Sequence, residues 1–444
     1  MALLLFVLTV PAQEALRPSL AKQRSSQPST TGDYNLKIGP VLLNFATGTR
    51  VEFIDNVGLS NGTTVPKESD LQIGTSLDIA ARWQLTKLNT LQFRTTVGQT
   101  RYLAHPELNT SNLLFSPDSE LSFDVFVGDF KINFHDRFSY QQDPSGEGGV
   151  SNTSRLGRFT NVVGISGLSD LNDLTLSLGY DHTTLTVSDQ TGPATQGSTA
   201  TTNRLASGSL DRATDQVSAM ALLHFSDTFS AGLESTASST TYKQSSQNDS
   251  TRFTIGPFAA VQLTSHTKLS FSAGLMSIQS QSQTVFGATS LPVQTVLNPD
   301  GTPDPTPRLT TQQISGASGH IYGSINITHR LNSFYSDQLS IGRESMPGIF
   351  SQETQTDFAR YRSTWLLTPN IRLSSTFFYE RVQETSSQLS NSSYERIGAT
   401  FETGYKLTRH LGTSIAYQYL QKKTENAIYD YTQNRITLSL NYQF

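Results

Sequence analysis

From residue 41 to the end of the chain, apolar and polar residues alternate with a period of two. In SDLQIGTSLDIAARWQL, Leu71, Ile73, Leu77, Ile79, Ala81, Trp83 and Leu85 share one parity, and Gln72, Ser76, Asp78, Arg82 and Gln84 share the other. A short TKLN follows. Leu91, Phe93, Thr95 and Val97 then alternate with Gln92, Arg94 and Thr96. Successive side chains of a strand point to opposite faces, so this is a hairpin with one apolar and one polar face. The same unit recurs about 18 times, near 41–54, 71–85, 91–102, 120–127, 130–140, 158–166, 173–186, 214–226, 228–242, 251–264, 267–282, 317–329, 335–346, 356–367, 371–384, 393–407, 410–423 and 432–444. Sixteen strands is the nearest rival count.

The connections sort into two kinds that alternate along the chain. TKLN, VGD, LSDLND, SD, TSHT, RLNSFYSD, TPN and TRH are short. The stretches 103–119, 141–157, 187–213 and 283–316 are long and rich in Gly, Ser, Thr, Asn, Gln and Pro. A soluble sandwich has no reason to sort its loops this way. A transmembrane β-barrel does, with short periplasmic turns and long extracellular loops. About 18 strands also enclose a lumen too wide for side chains to fill, which puts the polar face inside and the apolar face in lipid. The expected fold is therefore a single all-β, antiparallel, up-and-down transmembrane barrel over residues 34–444, with both termini on the short-turn side.

Aromatic positions agree with that orientation. Trp83 precedes TKLN and Trp365 precedes TPN, both on the apolar face, and Tyr405 stands in the same place before TRH. Tyr140, Tyr180 and Tyr379 lie near the long-loop ends. Two girdles at opposite strand ends are what two membrane interfaces select. Asp136 breaks the pattern, because it falls on the lipid-facing parity between Phe134 and Phe138. A charge there is costly, so a local bulge, or a register other than the one the alternation gives, is expected rather than a functional site.

Composition narrows the class. The 444 residues are 36% hydrophobic and only 15% charged, with Ser, Thr, Asn and Gln making up the difference, which is unusual for a soluble enzyme. A net charge of −4 implies no nucleic-acid partner. With no cysteine, disulfides, thiolate metal sites and thiol nucleophiles are excluded. The N-terminal MALLLFVLTVPA is read as a signal peptide over residues 1–12, although no Lys or Arg precedes its apolar run; residues 13–33 read as a flexible periplasmic lead-in.

The chain ends NRITLSLNYQF. Leu438, Leu440, Tyr442 and the terminal Phe444 together resemble the insertion signal of Gram-negative outer-membrane β-barrel proteins. In that class the last strand is read by the barrel assembly machinery, so the resemblance implies that machinery and outer-membrane lipids as partners. Porins often trimerise, which leaves a homo-oligomer open. VEFIDNVGLS, through Phe53, Asp55 and Asn56, also resembles an aromatic-x-Asp-Asn element of β-barrel porins associated with polysaccharide export.

Candidate chemistry is sparse. There is no HExxH, no Walker loop and no dinucleotide fingerprint, so no cofactor is implied. NPDGTPDP (298–305) lacks calcium-loop spacing and reads as turns. His135-Asp136 and Asp181-His182 are the only His–acid neighbours, and adjacent strand residues face opposite ways, so neither pair meets by adjacency. No catalytic grouping is recognisable, and the expectation is a protein that is not an enzyme. The lumen parity carries Arg50, Arg360, Arg362, Arg372, Arg396 and Arg435, with Glu52, Glu380, Glu384 and Glu402 as acids on the same arc. Two readings stay open, a pore wall with mild anion preference and a cross-strand ion-pair ladder that stiffens the barrel. The expected function is porin-like passive diffusion of small hydrophilic solutes, with a constriction formed by the 283–316 loop. The alternatives are a sealed surface or structural barrel, part of a polysaccharide export system, or an outer-membrane hydrolase.

Overall fold

The computed structural model describes residues 34–63, 65–109, 112–144, 155–188, 211–243, 249–280, 316–346, 353–385 and 392–444. The expected signal peptide, the lead-in and the 283–316 loop lie outside those residues, the last but for Gly316. A three-residue strand β1 (Leu36–Ile38) precedes eighteen long ones. These are β2 (Val41–Ile54), β3 (Asp70–Gln84), β4 (Thr90–Tyr102), β5 (Leu114–Val127), β6 (Phe130–Pro144), β7 (Arg155–Leu171), β8 (Leu174–Ser188), β9 (Arg212–Ser226) and β10 (Phe229–Tyr242). They continue with β11 (Ser250–Gln262), β12 (Thr267–Ser280), β13 (Gly316–His329), β14 (Tyr335–Met346), β15 (Glu353–Leu366), β16 (Ile371–Thr385), β17 (Ser392–Lys406), β18 (Leu411–Thr424) and β19 (Tyr431–Gln443). Each of β2 to β19 pairs antiparallel with its sequence neighbours, and β19 pairs with β2, so the eighteen strands close into a barrel. At ~4.8 Å between strands and a tilt of ~40°, eighteen strands give a backbone radius of roughly 18 Å.

The connections sort as expected. At one end they run from two residues (Gly128–Asp129) to five (85–89); at the other, from six (386–391) to thirty-five (281–315). Gly128 and Asn172 adopt positive φ, +60° and +62°, as such tight turns require. The LSDLND stretch is tighter than its sequence suggests, since only Asn172 and Asp173 lie outside strands. The expected 103–119 loop is shorter too, because β5 begins at Leu114. Its pairing with β4 shifts register between Arg94 and Val97, and its pairing with β6 shifts between Phe115 and Ser119. Pro117, with no N–H to give the ladder, sits in that bulge and hides the period-two signal.

The outward parity is apolar and exposed. Trp83, Trp365 and Tyr405 form a girdle at the short-turn end, and Phe53, Tyr180, Tyr379 and Phe253 stand on the outer face near the other. The upper tyrosines aim their hydroxyls at polar groups: Tyr180 donates to Asp215 at 2.7 Å, and Tyr140 accepts from Asn112 at 3.0 Å. An amphipathic ring with its tip in the wet zone is the arrangement an interface favours. Asp136 corrects the expectation of a bulge. The β6–β7 register runs unbroken through it, and it lies on the outer parity opposite Val163, where Asn161 donates to it at 2.5 Å. A local hydrogen bond, not a register shift, answers the charge.

Closure depends on both chain ends. β19 pairs with β2 from Arg435–Ile54 to Gln443–Ala46, and the Phe444 amide donates to the Phe45 carbonyl at 3.2 Å. Below that point the edge of β2 is taken up by β1, which pairs Leu36–Leu43 to Ile38–Val41. Between the two ends, the Asn35 side chain mimics a strand. It donates to the Phe45 carbonyl (2.6 Å) and accepts from the Phe45 amide (3.2 Å). At the top of the seam, Asn434 donates its amide and side chain to Asp55 (2.7 and 2.5 Å). Asn56, fully buried, donates to the carbonyls of Thr432 (2.9 Å) and Ser60 (2.8 Å) and accepts from the Ser60 amide (2.8 Å). Thus Asp55 and Asn56 fasten the first long loop across the closing strands.

Replacing Asn56 with Ala leaves buried backbone groups without partners, a loss of about 1–3 kcal/mol. The heat-induced gel-mobility shift of the folded barrel should then occur at lower temperature than in wild type; an unchanged transition would show that the seam does not need this side chain.

Candidate functional site: the lumen wall

Inward side chains differ from one end of the barrel to the other. On β16, Arg372, Ser374 and Thr376 near the short turn are half-buried, whereas Glu380, Val382 and Glu384 above them are buried. The same change occurs on β18 and β19, where Lys422, Tyr431 and Gln433 are buried. On these strands the lumen wall is most closely packed in its long-loop third; on β8 and β9 the inward Thr175, Ser177 and Leu222, near the short turns, are buried as well.

That region is built on one register row. Phe358 on β15, Glu380 on β16, Arg396 on β17, Lys422 on β18 and Tyr431 on β19 are successive direct partners. Glu380 is 1% exposed and accepts from two guanidiniums, Arg360 Nη2 at 2.8 Å and Arg396 Nε at 3.1 Å. Arg360 also donates to Glu344 on β14 at 2.8 Å. The cations lie on aromatic faces: Arg360 is 4.2 Å from the Phe358 ring centroid, Lys422 4.2 Å from that of Tyr394, and Arg396 5.9 Å from that of Phe378. Phe378 lies flat because its cross-strand partner is Gly398, where a Cβ would meet the ring at 2.2 Å. Charges so placed are desolvated yet paired, and they brace adjacent strands.

The expected lumen residues divide accordingly. Arg360, Arg396 and Glu380 come together. Arg435 meets Glu52 at 3.4 Å and Gln433 at 2.7 Å. Glu402 accepts from Ser374 at 3.4 Å and pairs with no arginine among the described residues. Arg50 lies against Gly74, where a Cβ would be 2.8 Å from its Nε. Arg362 is exposed, and Arg372 has a buried Nε with no hydrogen-bond partner among the described residues. Glu344 and Lys422 were not singled out from the sequence, although both have the inward parity; their partners are set by register, which no single strand records.

A second cluster crosses the opposite wall. Lys131 lies 3.2 Å from Asp124, which accepts from Asn133 at 2.8 Å. His135 Nδ1 is 2.9 Å from Asn133, and its Nε2 lies 2.7 Å from Asp181 and 2.9 Å from Arg137. His135 and Asp181 meet over the intervening β7 because Gly164 lies between them; a Cβ there would be 2.2 Å from Asp181. So the sequence neighbours do not pair with each other. His135 turns inward to Asp181, while His182 turns outward to Asp215 at 2.8 Å.

Above the wall, His105 links the second long loop to the first. Its Nδ1 is 2.9 Å from Asp70 and its Nε2 3.0 Å from Glu68. Burial pulls the imidazole pKa down, but hydrogen bonds and charge from the two carboxylates outweigh it and hold the pKa above its ordinary value.

The outer belt, the two girdles, the closed sheet and the even strand count are together those of a bacterial outer-membrane barrel. No family model matches the chain, and no curated protein does. Among solved structures, OpdK of Pseudomonas aeruginosa with vanillate aligns at a TM-score of 0.45 and 11% identity, covering 90% of this chain and 99% of that one. P. aeruginosa OccK2 (OpdF), solved with glucuronate, gives 0.46 and 11%, over 90% and 98%. The ferric-catecholate import receptor Fiu of E. coli K12 gives 0.44 and 9%, over 90% and 81%. A receptor matches as well as the porins do, and at these scores the likeness decides nothing about solute or mechanism.

Glu380→Gln leaves two arginines short of their shared charge and should cost about 3 kcal/mol, against less than about 0.5 for the exposed Arg362→Ser. Urea midpoints in detergent would show it; equal midpoints would contradict the ladder. The His105 contact should stabilise fully below pH ~6.5 and fade as pH rises through the raised pKa of the folded state. The thermal midpoint of wild type should therefore exceed that of His105→Gln at pH 5.5 by more than at pH 8.5; the opposite trend would contradict the assignment.

Proposed function

We propose that the chain is a porin-like outer-membrane channel for passive diffusion of small hydrophilic solutes, without catalytic activity. One observation supports this above others: an eighteen-strand closed barrel, too wide for its side chains to fill, turns its polar parity inward. On β14 to β19 the wall of the long-loop third is packed and its charges are paired. The Arg360–Glu380–Arg396 group is a stiffening ladder there, since each charge already has a partner. Any anion preference rests instead on Arg362 and Arg372, nearer the short-turn end, together with the exposed Arg50 higher on β2. The other reading is a barrel sealed at its packed end, serving a structural or export role.

Proteoliposomes should swell in isosmotic small sugars at rates that fall with sugar size, and planar-bilayer reversal potentials should show a mild anion preference that Arg50→Ser with Arg362→Ser and Arg372→Ser abolishes. Absence of swelling would favour the sealed barrel.

A further inference from the structure

Behind the buried inward row, the outer face of the same strands carries a second row of charge. Arg343 on β14, Asp357 on β15, Arg381 on β16, Glu395 on β17 and Lys423 on β18 are successive direct register partners. The dipeptides Arg343-Glu344, Glu380-Arg381, Glu395-Arg396 and Lys422-Lys423 thus split, one member into the lumen wall and one outward. Counted from the short-turn end of each strand, the outward five stand eight, nine, ten, eleven and twelve positions up (335 to 343, 366 to 357, 371 to 381, 406 to 395, 411 to 423). At ~3.3 Å per residue and ~40° of tilt, the row climbs from roughly 20 to 30 Å above the strand bases. An apolar band is ~25 Å tall, so the row rises out of the top of that band into the outer headgroup zone.

The two ends of the row differ in the way that this climb requires. At the lower, more apolar end Arg343 is closed onto Asp357 as a two-point pair, Nη2 to Oδ2 at 2.8 Å and Nε to Oδ1 at 2.5 Å. Higher up, Arg381 and Lys423 are exposed, and neither has a carboxylate within 4.0 Å among the described residues. They stand two strands apart, ~10 Å, on the outside of the barrel. Tyr379 and Tyr419 lie on the same parity, two and four residues below them. Glu395 stands between Arg381 and Lys423 on β17 and accepts from the Tyr379 hydroxyl, so two cations flank one acid; on the far wall the outward polar groups at the tyrosine girdle include His182 and the acid Asp215. Exposed cations directly above interfacial tyrosines meet the phosphates of lipid headgroups.

We propose that Arg381 and Lys423 form a binding site for a phosphate-bearing lipid headgroup of the outer leaflet, fixed in place by the Arg343–Asp357 pair. This deepens the membrane reading above and rests on it. The test is native mass spectrometry of the full chain released from phosphatidylcholine nanodiscs doped with phosphatidylglycerol. Wild type should retain phosphatidylglycerol over phosphatidylcholine. At about fivefold per cation, Arg381→Ser with Lys423→Ser should reduce that preference roughly 25-fold, while Lys87→Ser, at the other end of the barrel, should leave it unchanged. Equal retention by the double variant, no preference in wild type, or complete displacement by millimolar inorganic phosphate would each overturn the headgroup site. Sugar-driven swelling of the double variant should match wild type, so that failure of the site is separable from failure of the channel.

Discussion

In hydrocarbon an unpaired backbone N–H or C=O has no water to turn to, so a sheet that crosses a membrane must close on itself. Everything else in this barrel follows from the strand pair that achieves closure. β2 and β19 are the first and last of the eighteen long strands, and their pairing, which runs from Ile54–Arg435 to Ala46–Gln443, leaves a strip of β2 uncovered. β1 and the Asn35 side chain fill that strip, and Asp55 and Asn56 lock the other end. Phe444 is an exposed aromatic whose amide contributes a rung at the seam.

Closure assigns the faces. Once the apolar parity is outside, each polar residue on the other parity lines a lumen, and the wall must manage buried charge without water on one side. It does so by register. Glu380 stands between two arginines, Gly398 leaves room for Phe378 on the neighbouring strand, and Gly164 lets the His135–Asp181 contact cross β7. Because rows run perpendicular to tilted strands, a charge row necessarily climbs. One row can therefore begin beside the apolar band and finish in the headgroup zone.

Much of this was legible in the sequence. Period-two alternation located all eighteen barrel strands, and the alternation of loop lengths oriented them. Trp83, Trp365 and Tyr405 placed one interface. The departures have physical causes. Pro117 interrupts the alternation of β5, so its first turn of strand reads as loop. Asp136 violates parity but finds Asn161 on the next strand, a partner that only register reveals. The same holds for Glu344, Lys422 and the His135–Asp181 contact: parity gives a residue its face, but its neighbours depend on the stagger between strands.

The central claim is that even-numbered positions of β16 face water and odd-numbered ones face lipid. The chain has no cysteine, so single cysteines at residues 372 to 377 can be introduced on a clean background. In proteoliposomes, Cys at 372, 374 and 376 should react with a membrane-impermeant maleimide, while fluorophores at 373, 375 and 377 should be quenched by a lipid-borne quencher. The reverse parity, or no alternation at all, would contradict a water-filled barrel with its apolar face in the bilayer.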